Sequence, residues 1–370
     1  MKIVDVESFA IRYPLREPIA DATHDLAMYE LAIVRVRTDD GVTGDGFTSA
    51  THGGAEVIVN LVDTMLRPLL IGRDPFHVRG LWDEMFWRTQ IVGRGGVARL
   101  GMGAVDIALW DAMARSLNVP LWKLLGGTGV AKFPLYSTDA GWLSFPQDVM
   151  IAKMHAALAA GFHGVKMKIG SPDPAADLRR VAAVREAIGP ETPLMVDINT
   201  HWDLSTALRW GPELDRFDIG WLEEPMNQHD VKGHAQLQAL MRAPLLVGEN
   251  LTSLTLFRDF FEQRALRLAQ PDVTRLGGIT RWLDVAAMAR ANSIRVVPAC
   301  WDSMQVSIHL AAATPEVHLM EHLDWTLDIF EERLRIEDGW LHVPTGPGIG
   351  CTVREDVADR YRVSRAGSSA

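Results

Sequence analysis

Five residues between positions 166 and 249 have the types and spacing to do chemistry together. Lys166 and Lys168 lie in GVKMKIG, Asp197 in PLMVDIN, Glu223 in GWLEEP and Glu249 in PLLVGEN, each within or at the end of a short apolar run. The three acids recur every 26 residues, which is about one strand, one helix and two short loops. Equivalent strand ends of a parallel barrel converge on one mouth. Three carboxylates gathered there repel one another unless they share a hard cation, so the spacing predicts a Mg²⁺ site on Asp197, Glu223 and Glu249. Taken singly, each acid could instead cap the next helix, a role open to Asp197 and Glu224. The tandem Glu223-Glu224 offers two ligands, and the equal spacing favours Glu223.

Lys166 and Lys168 are two apart on an apolar strand, so both face the barrel interior. Ion pairing with the nearby acids is one use for them. The other is proton abstraction, with a neighbouring ammonium and a cation lowering one amine toward neutrality. Asp272, in QPDVTRLGG, and Glu321, in HLMEHLDW, fall at the same mouth. His24, His52 and Arg94 lie in DATHD, ATHGG and VGRGG, polar glycine-bearing segments suited to a cover that closes on a substrate, although ordinary surface loops account for either histidine equally well. The glycine-rich TGPGIGC lacks a strand-to-helix context and reads as a turn.

The elements that must carry these residues are legible as period changes. Residues 3–12 and 31–38 alternate apolar and polar side chains, and Asp40-Gly41 turns the chain into a third run, 43–48. Helical periodicity follows at about 55–70, 75–91 and 97–117, which makes an α+β unit. Strands then alternate with amphipathic helices, at 134–137, 164–169, 194–197, 220–223, 245–248, 267–270, 295–298 and 317–321. Eight such strands predict an α/β fold with a (β/α) barrel of the modified TIM type, beneath an N-terminal α+β capping domain. The expected division is 1–125 for the cap, 126–323 for the barrel, and 324–370 for a segment returning to the cap. That last segment contains a hairpin at Asp338-Gly339 and ends in SRAGSSA, which reads as disordered.

With 370 residues and 48% hydrophobic content, the chain can bury a large core. Its net charge of −10, with no basic block, argues against nucleic acid as a partner. Cys300 and Cys351 are the only cysteines, too few for a disulfide framework, which points to a reducing compartment. No signal-peptide pattern or bilayer-length apolar run is present, so a cytoplasmic protein with no membrane partner is expected.

The K-x-K of Lys166 and Lys168, the D-x-N of Asp197 and Asn199, the EEP at Glu223 and the GEN at Glu249 resemble, in order and spacing, the mandelate racemase subgroup of the enolase superfamily. VDIALWDAMARSLNVPLWKLLGG is similar to that family's junction between cap and barrel. QPDVTRLGGIT, the Glu321 segment and VGRGG look most like the galactarate and talarate dehydratases. The resemblance implies Mg²⁺ on Asp197, Glu223 and Glu249, and Lys168 as base. It places Lys166 and Glu321 at the substrate carboxylate; Asn199 and the polar cap residues His24, His52 and Arg94 complete the expected substrate-binding set. It also implies a homo-oligomer acting on a small acid sugar.

The chain departs from the family at one position. A histidine paired with the aspartate represented by Asp272 is expected after the seventh-strand proline, but VVPACWD places Ala299 there. Two accounts stand: replacement of a catalytic histidine to trap substrate, or natural divergence that leaves Lys168 as the clear base. The expected function is dehydration of an aldonate or aldarate to a 2-keto-3-deoxy acid, weakened by Ala299. A racemase, epimerase or cycloisomerase on a 2-hydroxy acid is the alternative within the same chemistry, and a non-catalytic sugar-acid-binding descendant the alternative outside it.

Overall fold

The computed structural model describes residues 1–301 and 303–363. The alternating N-terminal runs form an antiparallel sheet of β1 (Ile3–Ala20), β2 (Asp25–Thr38) and β3 (Thr43–Ala50) in that spatial order. β1 and β2 run well beyond the expected ends. Pro14 and Pro18 lack an N–H and obscure the strand pattern, yet pairing resumes at Ile19–Leu26 after a register shift between Pro14 and Ile19. The extension carries the 21–24 turn onto the barrel, where Leu143 N donates to Ala20 O at 2.9 Å.

Three helical stretches follow. Helix α1 (Gly54–Leu61) continues through a wide π turn, Val62–Leu66, into Arg67–Leu70. The wide turn ends just before Pro68, which cannot supply the regular hydrogen bond. Helix α2 (Val78–Arg88) stops short of the expected residue 91, and α3 (Val97–Ser116) is buried along most of its length. That burial requires glycine on β3: a Cβ on Gly46 would lie 2.1 Å from Ala104 O of α3.

Each of the eight expected barrel strands has a counterpart: β4 (Lys132–Ser137), β5 (Val165–Lys168), β6 (Leu194–Asp197), β7 (Trp221–Glu223), β8 (Leu245–Val247), β9 (Leu268–Ala269), β10 (Arg295–Val296) and β11 (Met320–His322). Successive strands from β4 to β10 pair in parallel, and β11 pairs in parallel with β4. A bridge between Val296 and Val317 closes the ring. Several strands are shorter than their apolar runs because the ends bend into the loops that build the mouth.

The C-terminal hairpin, β12 (Ile336–Glu337) and β13 (Trp340–His342), turns at Asp338-Gly339 as the sequence predicts. The hairpin itself packs on the barrel, whereas the expectation is a tail that returns to the cap. β4 meets β5 only at Ser137 and Val165, and β13 pairs antiparallel with the beginning of β4, at Phe133 and Leu341. The tail reaches the cap on both sides of the hairpin. Before it, Asp328 Oδ2 accepts from Arg16 Nη2 at 3.0 Å and the ring of Phe330 lies 5.0 Å from that of Phe47. After it, Pro344 O accepts from Trp122 Nε1 at 2.8 Å, Ile349 N donates to Asp111 Oδ1 at 2.6 Å and Val363 N to Ala10 O at 2.9 Å. The expectation for 364–370 lies outside the described residues. Among the described residues, no helix is long and apolar enough to cross a membrane.

Candidate active site

Strand register brings the central residues together. Lys168, Asp197 and Glu223 are lateral neighbours across β5, β6 and β7, whereas the neighbour of Glu223 on β8 is Leu246. Glu249 therefore reaches the mouth from just beyond its strand. Alternation turns Lys166 and Lys168 inward, and both are fully buried. The loop after β4 lies directly on their strand. Gly141 O accepts from Lys168 N at 2.7 Å, and a Cβ on Gly141 would stand 1.9 Å from Lys166 O.

Lys166 Nζ lies 2.6 Å from Glu321 Oε1, 2.9 Å from Glu223 Oε1 and 3.3 Å from Asp197 Oδ2. Lys168 Nζ donates to Asp197 Oδ2 at 2.5 Å. Burial disfavours both ammoniums, but Glu223 and Glu321 around Lys166, and Asp197 beside Lys168, outweigh it and raise both amines. This reverses the lowering anticipated from the neighbouring ammonium. The acids facing each lysine contribute more than the other lysine does.

The acids differ sharply in environment. Burial, then repulsion from Asp197, raises Glu223 to about 8, while it accepts from Trp221 Nε1 at 3.0 Å and Gln270 Nε2 at 2.9 Å. Burial and Glu249 raise Glu224 well above the ordinary range, although Asn250 Nδ2 donates to it at 2.6 Å. Burial opposes ionisation of Asp197, but the two lysines hold its carboxyl low, and Asn199 N donates to Oδ1 at 2.9 Å. Glu321 is held low in the same way by Lys166 against burial, and accepts from Thr138 Oγ1 at 2.6 Å and Cys300 N at 3.3 Å. Glu249 pairs with Arg275 Nη1 at 3.2 Å. Among the described residues, no three acids, histidines or cysteines stand close enough to hold a metal as they lie; the lysine amines bridge them instead.

Asn199, Thr200 and Glu224 have φ of 48°, 62° and 37°, left-handed values that are uncommon for non-glycine residues. Asn199 Oδ1 and Gln270 Oε1 are buried without a hydrogen-bond partner. Asp272 Oδ1 accepts from Thr274 N at 2.7 Å and Thr274 Oγ1 at 2.8 Å. Among the described residues its Oδ2 accepts nothing, and Arg275 Nε stands 4.0 Å away. Ala299 lies beside this segment, its N donating to Pro271 O at 3.3 Å.

The cap residues separate. His24, together with Asn250, Arg275 and Trp301, lines a cavity of about 310 Å³ at the mouth. His52 is exposed next to Thr51 of that cavity. Arg94 lines a different cleft and lies over the rings of Phe86 and Trp87, at 4.6 and 4.7 Å. Sequence reasoning overlooked Asn250, Gln270 and Arg275. Asn250 and Arg275 lie within or beside the quoted GEN and TRLGG segments, where a polar residue at the mouth was signal enough. Gln270 is indistinguishable from an ordinary strand end.

Fold and site together define a capped (β/α)-barrel enzyme with lysines and carboxylates gathered at one mouth. The chain belongs to the mandelate racemase/muconate lactonizing enzyme family: residues 3–126 match its N-terminal domain and residues 149–357 the enolase C-terminal domain-like unit. It is 35% identical to the L-talarate/galactarate dehydratase of Salmonella typhimurium, over 93% of this chain and 87% of that protein. It is 36% identical to the 3,6-anhydro-alpha-L-galactonate cycloisomerase of Streptomyces coelicolor, over 95% and 97%. Among solved structures, a lysine-to-alanine mutant of an L-talarate/galactarate dehydratase, liganded with Mg and L-glucarate, superposes with a TM-score of 0.92 at 34% identity, covering 98% of this chain and 92% of that one.

Proposed function

We propose that this chain is a Mg²⁺-dependent hydro-lyase that converts an acid sugar, an aldonate or aldarate, into a 2-keto-3-deoxy acid. The observation that carries the reading is the lateral alignment of Lys168, Asp197 and Glu223 in a buried mouth with Lys166 alongside. The donor set fits the ion. Glu223 and Glu224 are both raised because carboxylates are crowded together out of water, and oxygen-rich anionic crowding is what a hard divalent cation relieves. Asp197, Glu223 and Glu249 would hold Mg²⁺, which when bound would stabilise negative charge on the substrate carboxylate oxygens and take over carboxylate charge that holds the two ammoniums.

The chain's own groups supply the rest. Lys168 removes the proton α to the carboxylate, the step for which a buried amine in the mouth is suited. Lys166 and Glu321 stand together where they would contact the carboxylate oxygens, and Asn199, His24 and His52 are the substrate-binding set, which Arg94 would join only by leaving the rings of Phe86 and Trp87. Asp272 and Ala299 mark the place of the general acid, and alanine there impairs departure of the β-hydroxyl. The division into a cap over 1–125, a barrel over 126–323 and a segment over 324–370 that returns to the cap on either side of its barrel-bound hairpin belongs to the same reading. So do a cytoplasmic location, which the two free buried cysteines favour, and a homo-oligomer, which exposed Trp87, Ile91 and Val92 favour.

Incubating the Ala299→His form with a panel of aldonic and aldaric acids, with Mg²⁺ present, tests the reading by detection of 2-keto acids. Metal binding with no product across the panel overturns it. A second reading, cycloisomerisation through the same α-proton abstraction, is favoured by the cycloisomerase relative, which is as similar to this chain as the dehydratase is. Exchange of the α proton with solvent, without loss of water, would select it.

A further inference from the structure

The seventh-strand position that should move a proton cannot do so. Ala299 presents a methyl group, and Asp272 Oδ2 beside it accepts no hydrogen bond. A second histidine–aspartate pair stands above the mouth, on the cap. Asp21 is buried in the turn between β1 and β2, and its Oδ1 accepts from Thr23 N and His24 N, each at 2.7 Å. The same carboxylate meets His24 Nδ1 at 3.1 Å through Oδ2. Burial opposes its ionisation, but His24 and the positive charge of Lys168 hold it as an anion well below the usual range. An anion on Nδ1 fixes the ring and its tautomer.

That leaves Nε2, which makes no hydrogen bond among the described residues, as the working nitrogen. His24 is exposed on the wall of the cavity that it shares with Asn250 and Arg275, the two residues that touch Glu249. Its ring lies 6.1 Å from Trp301, two residues after Ala299. Trp301 lies 6.4 Å from Trp142, and the Trp142 ring also faces Lys168 Nζ at 5.3 Å. Among the described residues, the charged groups facing His24 are Asp21 from its own turn, Lys168 beyond Asp21 and Arg275 across the cavity. The other histidines near the barrel's last elements face elsewhere. His309 is buried against Trp122 N and Ile349 O, and His322 alternates with Glu321 and packs on Phe162.

We propose that His24, held by Asp21, is the general acid of this chain and carries the dehydration that survives alanine at position 299. The inference rests on the dehydratase reading above. Lys168 takes the α proton, and the Cα–H electron pair enters the enediolate. As Cα=Cβ forms, the Cβ–O bond breaks and the leaving oxygen takes the proton of His24 Nε2, departing as water. The enol then becomes the 2-keto-3-deoxy acid, and solvent returns the protons to balance. His24 is the catalytic residue and Asp21 a positioning residue.

The full-length chain with Mg²⁺ in D₂O, incubated with the acid-sugar panel, provides the test by following deuterium at Cα and 2-keto acid together. In His24→Gln the ratio of keto acid formed to deuterium incorporated is expected to fall about 100-fold. Adding Ala299→His to that variant restores the ratio. Asp21→Asn lowers kcat for dehydration with KM little changed. A ratio unchanged in His24→Gln, including parallel loss of both signals, overturns the role of His24. So does exchange without dehydration in the unsubstituted chain. If only the Ala299→His form turns over, the role of His24 alone is overturned; if neither that form nor the unsubstituted chain exchanges or dehydrates any acid sugar, the dehydratase reading fails and this inference fails with it.

Discussion

Asn250 Nδ2 donates to Glu224 Oε2 at 2.6 Å, so the second acid of the tandem is held by the segment that carries Glu249. Glu223 instead faces Lys166, Trp221 and Gln270 inside the barrel, level with Asp197. If Glu223 is the ligand, Glu223→Gln weakens Mg²⁺ binding by about 10- to 100-fold, and Glu224→Gln by less. Calorimetric titration of both variants decides the matter, and the reverse order would transfer the role to Glu224.

Lys168 and Lys166 share Asp197 but not the other acids, which separates their roles. Lys168→Met leaves Asp197 paired with Lys166 at 3.3 Å, so the fold and the metal affinity should persist. Loss of the base is expected to cut α-proton exchange by about 10²- to 10⁴-fold. Exchange followed by NMR in D₂O measures this, and undiminished exchange would place the base elsewhere.

Much of this site was legible because barrel periodicity and acid spacing report the same geometry. Asp197, Glu223 and the lysines sit on strands whose apolar runs fix both position and direction. The rest depended on contacts that no local pattern encodes. The raised lysines follow from acids on three other strands, and the course of the hairpin from an unpaired stretch at the start of β4. The Asp21–His24 pair stands above the mouth only because β1 and β2 resume pairing beyond two prolines. Arg94, grouped with the histidines by the polarity of its segment, is turned away by the rings of Phe86 and Trp87.

Asp272 has one oxygen fully engaged and the other idle, which makes it a test of what stood opposite. Ala299→His should raise dehydration by about 10²- to 10⁴-fold, the usual worth of a placed acid. The gain should largely vanish when Asp272→Asn is added, because the new ring would lose its carboxylate. Steady-state rates of the single and double variants measure the coupling. A gain independent of Asp272 would show that the two positions do not form a pair.

Asp106 joins the two units of the fold and makes their association sensitive to pH. It projects from α3 to accept from Thr280 N at 2.9 Å and Thr280 Oγ1 at 2.6 Å, at the start of the barrel helix Ile279–Ala291. Gly278, with φ of 109°, packs so closely that a Cβ there would stand 2.3 Å from Asp106 Oδ2. Burial, opposed by the Thr280 contacts, raises this carboxyl to about 7. An acid whose folded value exceeds its unfolded value binds its proton more tightly when folded, so its contribution is complete below about pH 4 and is lost as pH climbs to about 7. About three units of difference set an upper bound near 4 kcal/mol. Asp111, raised to about 6 by burial, acts with the same sign, but it is common to chain and variant and cancels in a comparison. Asp106→Asn should therefore be less stable than the unsubstituted chain at pH 4.5, and should lose that deficit by pH 7.5. Denaturant midpoints of both proteins across this range test the claim, and parallel profiles would show that Asp106 does not titrate there.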